Sequence, residues 1–187
     1  MSAIVQAAIR QALTEYLPAA IDTVGARLMM LAAQKQEDPE ERRYQVVKRT
    51  AATAQENIVG PRTAKGPARG LWQFEKGGGV AGVMHFGGKV GAYALDVCDA
   101  MNIPFQREVI WSTLESNDVL AACFARLLLL SDPKKLPLVD DPFGAFELYL
   151  RTWRPGAFVR GDDSQKQALH AKFLKNHAAA RLELNIQ

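Results

Sequence analysis

The sequence predicts an all-α domain with at most a very small β element. Apolar residues recur at three- and four-residue spacings along most of the chain. Pro104, Pro133, Pro137, Pro142 and Pro155 fall between or at the ends of the periodic stretches. Alternation with period two, the mark of a half-buried strand, is sparse.

The elements follow in order. Val5, Ala8, Ile9, Ala12 and Leu13 share one face of a first helix, which Pro18 ends or separates from the next. A second helix is expected from about Ala19 to Gln36, with Val24, Leu28, Leu31 and Ala32 as its buried stripe. Pro39 disfavours helical dihedrals at Asp38, so this helix should stop near Glu37. Glu40 to Val47 reads as the start of another helix, with Pro39 near its first position. The polar stretch that follows reads as a long loop, inserted over residues 49–65. Residues 66–79 are rich in glycine with aromatics between. Helical patterns then resume at Lys89–Met101, Arg107–Leu114, Asp118–Leu130, Phe143–Trp153 and Ser164–Leu184.

A chain of 187 residues suits a single domain over 1–187, closed by a basic helix or tail over 159–187. A formal net charge of +3 is too mild to imply nucleic acid as a partner. Cys98 and Cys123 lie in apolar helical stretches and read as buried thiols. No Cys/His spacing suits a metal, and nothing calls for an organic cofactor. Gly77, Gly78 and Gly79 lack the Gly-Lys-Ser/Thr ending of a nucleotide loop, so flexibility beside a cleft is their better reading. Val119–Leu130 contains Arg126 and is too short to span a bilayer. Polar residues interrupt the N-terminal stretch, so no secretory signal is expected and synthesis is placed in a cytoplasm.

Two segments carry the chemistry. RLMMLAAQKQED, Arg27 to Asp38, is an apolar helix ending in carboxylates. KGPARGLWQFEKGGG, Lys65 to Gly79, gathers glycines, two large aromatics and a glutamine. Together they resemble the lysozyme-like superfamily, above all goose-type lysozymes, lytic transglycosylases and their phage-encoded members. There an apolar helix ends in a Glu-Ser pair and a Gly-Leu-Met-Gln turn follows. By that resemblance Glu37 matches the catalytic glutamate, and Gly70, Leu71, Trp72 and Gln73 match the turn. YLRTWRPGAF, Tyr149 to Phe158, resembles a C-terminal element whose aromatic helix lines the cleft, so Tyr149 and Trp153 join the substrate-binding set.

The sequence departs from this pattern in two ways. Asp38 stands where the family has serine. Gln73 follows Glu37 by 36 positions, about twice the family's spacing. The insertion accounts for the excess and supplies a rival: Glu56 precedes Gln73 by 17 positions but has no apolar helix behind it.

Physical chemistry favours Glu37 without the resemblance. A general acid for glycoside cleavage must hold its proton near neutral pH. The negative end of a helix, an apolar wall and the neighbours Asp38, Glu40 and Glu41 all penalise the ionised form. Against this stands the plainer possibility that Glu37 is one exposed acid in the run EDPEERR. Asp96, Glu75 and Glu115 are available as second carboxylates, but none lies in a recognisable partner motif.

Gln73 could address an acetamido group, and Trp72 or Phe74 could face a sugar ring or turn into the core. Tyr149 and Trp153, one helical turn apart, could line a groove or pack inwards. His170 and His177 sit on a final helix read as a solvated basic face.

What the resemblance implies is cleavage of the MurNAc-GlcNAc β-1,4 bond of peptidoglycan, by a lytic transglycosylase or a muramidase. The partners would be the glycan strand and phage virion proteins, in a virion-associated protein acting at the cell wall. The alternative is a non-catalytic tail or ejection component that keeps the scaffold. A third reading is a helical adaptor that binds through its basic final helix.

Overall fold

The computed structural model describes residues 3–186; Met1, Ser2 and Gln187, which the single-domain and C-terminal-tail expectations include, lie outside the described residues. The protein is mostly helical with a small antiparallel sheet. Helix α1 (Ala3–Gln11) buries Val5, Ala8 and Ile9, and continues as a wider π-helical turn, Ala12–Tyr16, that buries Ala12 and Leu13. Pro18 then redirects the chain into a short 3₁₀ turn, Ala19–Ile21.

Helix α2 (Val24–Glu37) starts where the Thr23 hydroxyl accepts from the Ala26 N–H at 3.1 Å. The expected start near Ala19 is therefore too early, while the expected stop at Glu37 agrees with the structure. Leu28 to Gln34 are all buried. A helix buried on every side needs neighbours on every side, and α1, α6 (Asp118–Leu130) and α9 (Asp163–Glu183) supply them. Helix α6 buries Leu120 to Leu129 without a break. Its first turn is capped by the Asn117 side chain, which accepts from the Leu120 N–H at 2.9 Å.

Residues 40–47 do not form the expected helix. The Asp38 carboxylate accepts from the Arg42 and Arg43 N–H groups at 3.1 and 2.7 Å, and Glu41 and Arg43 take positive φ. The chain therefore turns and enters strand β1 (Tyr44–Lys48). The segment read as an inserted loop, 49–65, holds strand β2 (Ile58–Gly60) and the start of β3 (Thr63–Arg69). The sheet runs in the order β1-β3-β2, antiparallel, with β4 (Phe74–Glu75) also pairing β3. It is larger than the sequence suggests. Pro67 within β3 is exposed, as a strand proline must be where it leaves the ladder.

Helices α3 (Ala81–His85), α4 (Lys89–Ala100), α5 (Arg107–Thr113) and α7 (Pro142–Trp153) follow, then the short α8 (Gly156–Val159). Of these, α4, α5 and α7 lie within a residue or so of the expected spans. Helix α9 opens on a capping box formed by Asp162 and Gln165. It is not the solvated appendage that its lysines suggest. Phe173, His177 and Ala180 are buried, because α9 packs along α2 and against α7. His170 lies against the Phe146 ring, with centroids 4.6 Å apart. Cys98 and Cys123 are buried free thiols, and burial raises the pKa of both. No described helix is long and apolar enough to cross a membrane.

Candidate active site

Glu37 is the last residue of α2, and α7 and α9 close over it. The Tyr149 hydroxyl donates to Glu37 Oε1 at 2.5 Å. Tyr149 is only 1% exposed, so this bond forms in a space with little water. Its ring stacks on Phe173 at 5.0 Å and on Trp153 at 6.0 Å. The Trp153 indole donates to the Trp72 carbonyl at 3.0 Å, and the Trp72 indole donates to the Met30 carbonyl at 2.8 Å. A closed circuit thus joins α2, the Gly70–Gln73 bend and α7, with the Glu37 carboxyl on it.

The carboxyl is pushed up to about pKa 7, chiefly because burial penalises its charge. The Tyr149 hydrogen bond and the Lys172 charge pull it down, while Asp38 and Glu75 push it further up. Lys172 reaches in from α9 and donates to the Gln36 carbonyl at 2.7 Å. Asn176 donates to Gln36 Oε1 at 2.9 Å and Lys35 pairs with Glu183 at 2.5 Å, so the last turn of α2 is fastened to α9 at three points.

Asp38 has a separate task. Its carboxylate secures the turn into β1, and burial raises its own pKa. Arg43 then grips Asp118 with two hydrogen bonds of 2.8 Å and donates to the Glu41 carbonyl. These contacts fix the exit from α2, and with it the direction of Glu37.

The bend is tight and mostly interior. Gly70 takes φ +75°, and a Cβ there would stand 2.8 Å from the Leu114 carbonyl oxygen. Only glycine meets both conditions without strain. Its N–H donates to the Arg43 carbonyl at 2.8 Å. Leu71 and Trp72 are 0% exposed and Phe74 is 2% exposed. The expectation that Gly70, Leu71 and Trp72 offer a surface to sugar therefore fails for this conformation: the backbone of Gly70 is covered, and both side chains serve the core. Gln73 stays partly exposed at φ 52°, with its amide nitrogen donating to the Gly70 carbonyl at 3.0 Å. Tyr149 is likewise a positioning residue for Glu37 rather than part of an open groove wall. Trp153 keeps part of its surface in solvent.

The remaining acids separate cleanly. Glu56 lies exposed on a 3₁₀ turn, Gln55–Asn57, beside the sheet, and forms no ion pair among the described residues. Glu115 is held by Arg69 at 2.8 Å and by Lys65. Asp96 is exposed on α4. Glu75, exposed on β4, is the acid beyond Asp38 whose charge reaches Glu37. Sequence reasoning left Glu75 without a role and read Lys172 as surface charge. No spacing signal could have found either.

Among the described residues no group of three His, Cys, Asp or Glu converges closely enough to hold a metal ion. Two surface cavities, of about 400 and 420 Å³, lie at the Lys48–Arg62 end of the sheet and beside Asp22 and Arg27; Glu37 lines neither. Compared with protein-family models, with curated proteins and with solved structures, the chain gives no match.

Proposed function

We propose that the protein has a lysozyme-like fold and cleaves the β-1,4 bond between MurNAc and GlcNAc in peptidoglycan, with Glu37 as the general acid. One observation carries this reading: Glu37 ends an apolar helix with its carboxyl bound by the buried Tyr149 hydroxyl, a setting that pushes its pKa up to about 7. Because Tyr149 donates to Oε1, the carboxylic proton belongs on Oε2. From there it passes to the glycosidic oxygen as the C–O bond breaks.

The resulting carboxylate, steadied by Tyr149, then acts as base. In the transglycosylase version it takes the proton of the sugar's own 6-hydroxyl as a 1,6-anhydro ring closes, with the substrate N-acetyl group assisting. In the hydrolytic version it takes a proton from water. Glu37 is partly exposed, and of the acids whose charge reaches it Asp38 is tied into a turn and Glu75 lies on the surface, which favours the first version. Gln73, with its amide N–H committed to Gly70, offers its carbonyl oxygen to an acetamido N–H. Glu56, exposed and without an apolar wall, is the poorer candidate for this role.

One observation favours a second reading, a virion tail or ejection component without turnover: Gly70, Leu71, Trp72 and Tyr149 are buried, so most of the expected sugar-binding set is covered. Mass spectrometry of muropeptides released from purified peptidoglycan decides between them. The expected result is anhydro-ended products from the wild type, none from Glu37→Gln, and undiminished release from Glu56→Gln. The rate should fall as pH rises through about 7, because the acid is then lost. No release by the wild type at any pH would leave the structural reading standing.

A further inference from the structure

The end of the sheet at Lys48 and Thr63, which the glycan reading does not use, carries an unbalanced charge. Arg49 and Arg62 stand opposite each other, one step beyond the Lys48–Thr63 pair that ends the β1–β3 ladder. The Arg49 N–H donates to the Arg62 carbonyl at 2.9 Å, which holds the two backbones in register. Arg62 belongs to the turn that joins β2 to β3, and this hydrogen bond sets two like charges beside each other.

Arg49 and Arg62 line a surface cavity of about 400 Å³ together with Lys48, Thr50 and Thr53. All three cations are exposed, and none forms an ion pair among the described residues. Lys65 and Arg69 on the same sheet behave differently, since both hold Glu115. Glu56 is the one acid between Lys48 and Arg62 in sequence, and it forms no ion pair with either.

We propose that this end of the sheet is a binding site for a phosphate group. Two guanidinium groups and an ammonium bring three positive charges with no acid paired to them. A phosphate, with about two negative charges and three or four accepting oxygens, answers such a site better than a carboxylate with one charge and two oxygens. The cavity exceeds one such group, so the phosphate belongs to a larger molecule. Strand β3 spans about 20 Å at about 3.3 Å per residue. The site is therefore separate from Glu37, and the inference does not rest on the glycan reading.

Isothermal titration with inorganic phosphate, at constant ionic strength, tests it. The wild type should bind saturably at one site, the Arg49→Gln/Arg62→Gln double variant at least tenfold more weakly, and acetate should not compete. Glu37→Gln should bind phosphate as the wild type does, which separates this site from the proposed active site. Dimethyl phosphate identifies the source: weaker binding than inorganic phosphate marks a monoester, equal binding a diester. Without phosphate the double variant should unfold at or above the wild-type temperature, since a repulsion has been removed, so weaker binding would not reflect a damaged fold. Equal phosphate affinity in wild type and double variant, equal affinity for acetate, or a double variant less stable than the wild type would overturn the proposal.

Discussion

A glutamate at the buried end of an apolar helix weakens its own fold whenever it ionises. Glu37 has an ordinary carboxyl pKa of 4.5 in the unfolded chain and about 7 in the folded one. A group whose folded value is the higher one stabilises the fold fully below the unfolded value, and that contribution is lost as pH rises to the folded value. Stability should therefore fall between about pH 4.5 and pH 7, by at most about 3 kcal/mol. Glu37→Gln retains an acceptor for Tyr149 and cannot ionise, so this slope should vanish and the variant should be the more stable form at pH 8. Denaturant melts of both proteins at pH 5 and pH 8 read this directly. Glu37 is also where the sequence was most informative. An apolar helix, a terminal acid and a following proline are local features, and the structure ends α2 at that acid. The partner was not legible, since Tyr149 lies 112 residues away. Nor was the direction of Trp72: a glycine bend with an indole reads the same whether the ring faces solvent or the core.

At the scale of elements, legibility follows the punctuation. Asn117 before α6, Asp141 before α7 and Asp162 before α9 are side-chain caps that announce a helix start, and Pro142 opens α7. The sheet has no such signals. Gly66 and Pro67 interrupt β3, although Gly66 is needed there because a Cβ would collide with Gln45 and Val47 across the strand pair. A run such as TAKGPAR therefore reads as loop until its neighbours are present. The junction from β3 through the bend to β4 depends on Gly70. Gly70→Ala should cost about 2 kcal/mol or more, from the left-handed backbone and from crowding against the Leu114 carbonyl. Chemical denaturation checks the magnitude. The same variant should also lose part of the protection of the Gln73 amide in hydrogen exchange, because that amide bonds to the Gly70 carbonyl.

For the whole molecule, the decisive arrangement is the docking of α9 along α2 and α7. Phe173 is 0% exposed and stacks on Tyr149, so it supports the residue that supports Glu37. Phe173→Ala should destabilise the protein by about 3–5 kcal/mol. It should also admit water near Glu37 and bring its pKa back towards 4.5, moving the alkaline limb of any activity to lower pH. The pH–rate profile separates this from simple loss of folded protein. The charge of α9 concealed this role: lysines and alanines dominate the helix, and only Phe173, His177 and Ala180 mark its buried side.

The acidity of Glu37 depends on groups drawn from both ends of the chain: Gln36 and Asp38 beside it, Glu75 midway, and Tyr149 and Lys172 near the close. While a ribosome is still translating the last helix, residue 37 carries an ordinary glutamate that gives up its proton to water. The raised affinity for its proton arrives only with the completed polypeptide. A chain clipped before α9 should therefore titrate at residue 37 like any exposed glutamate.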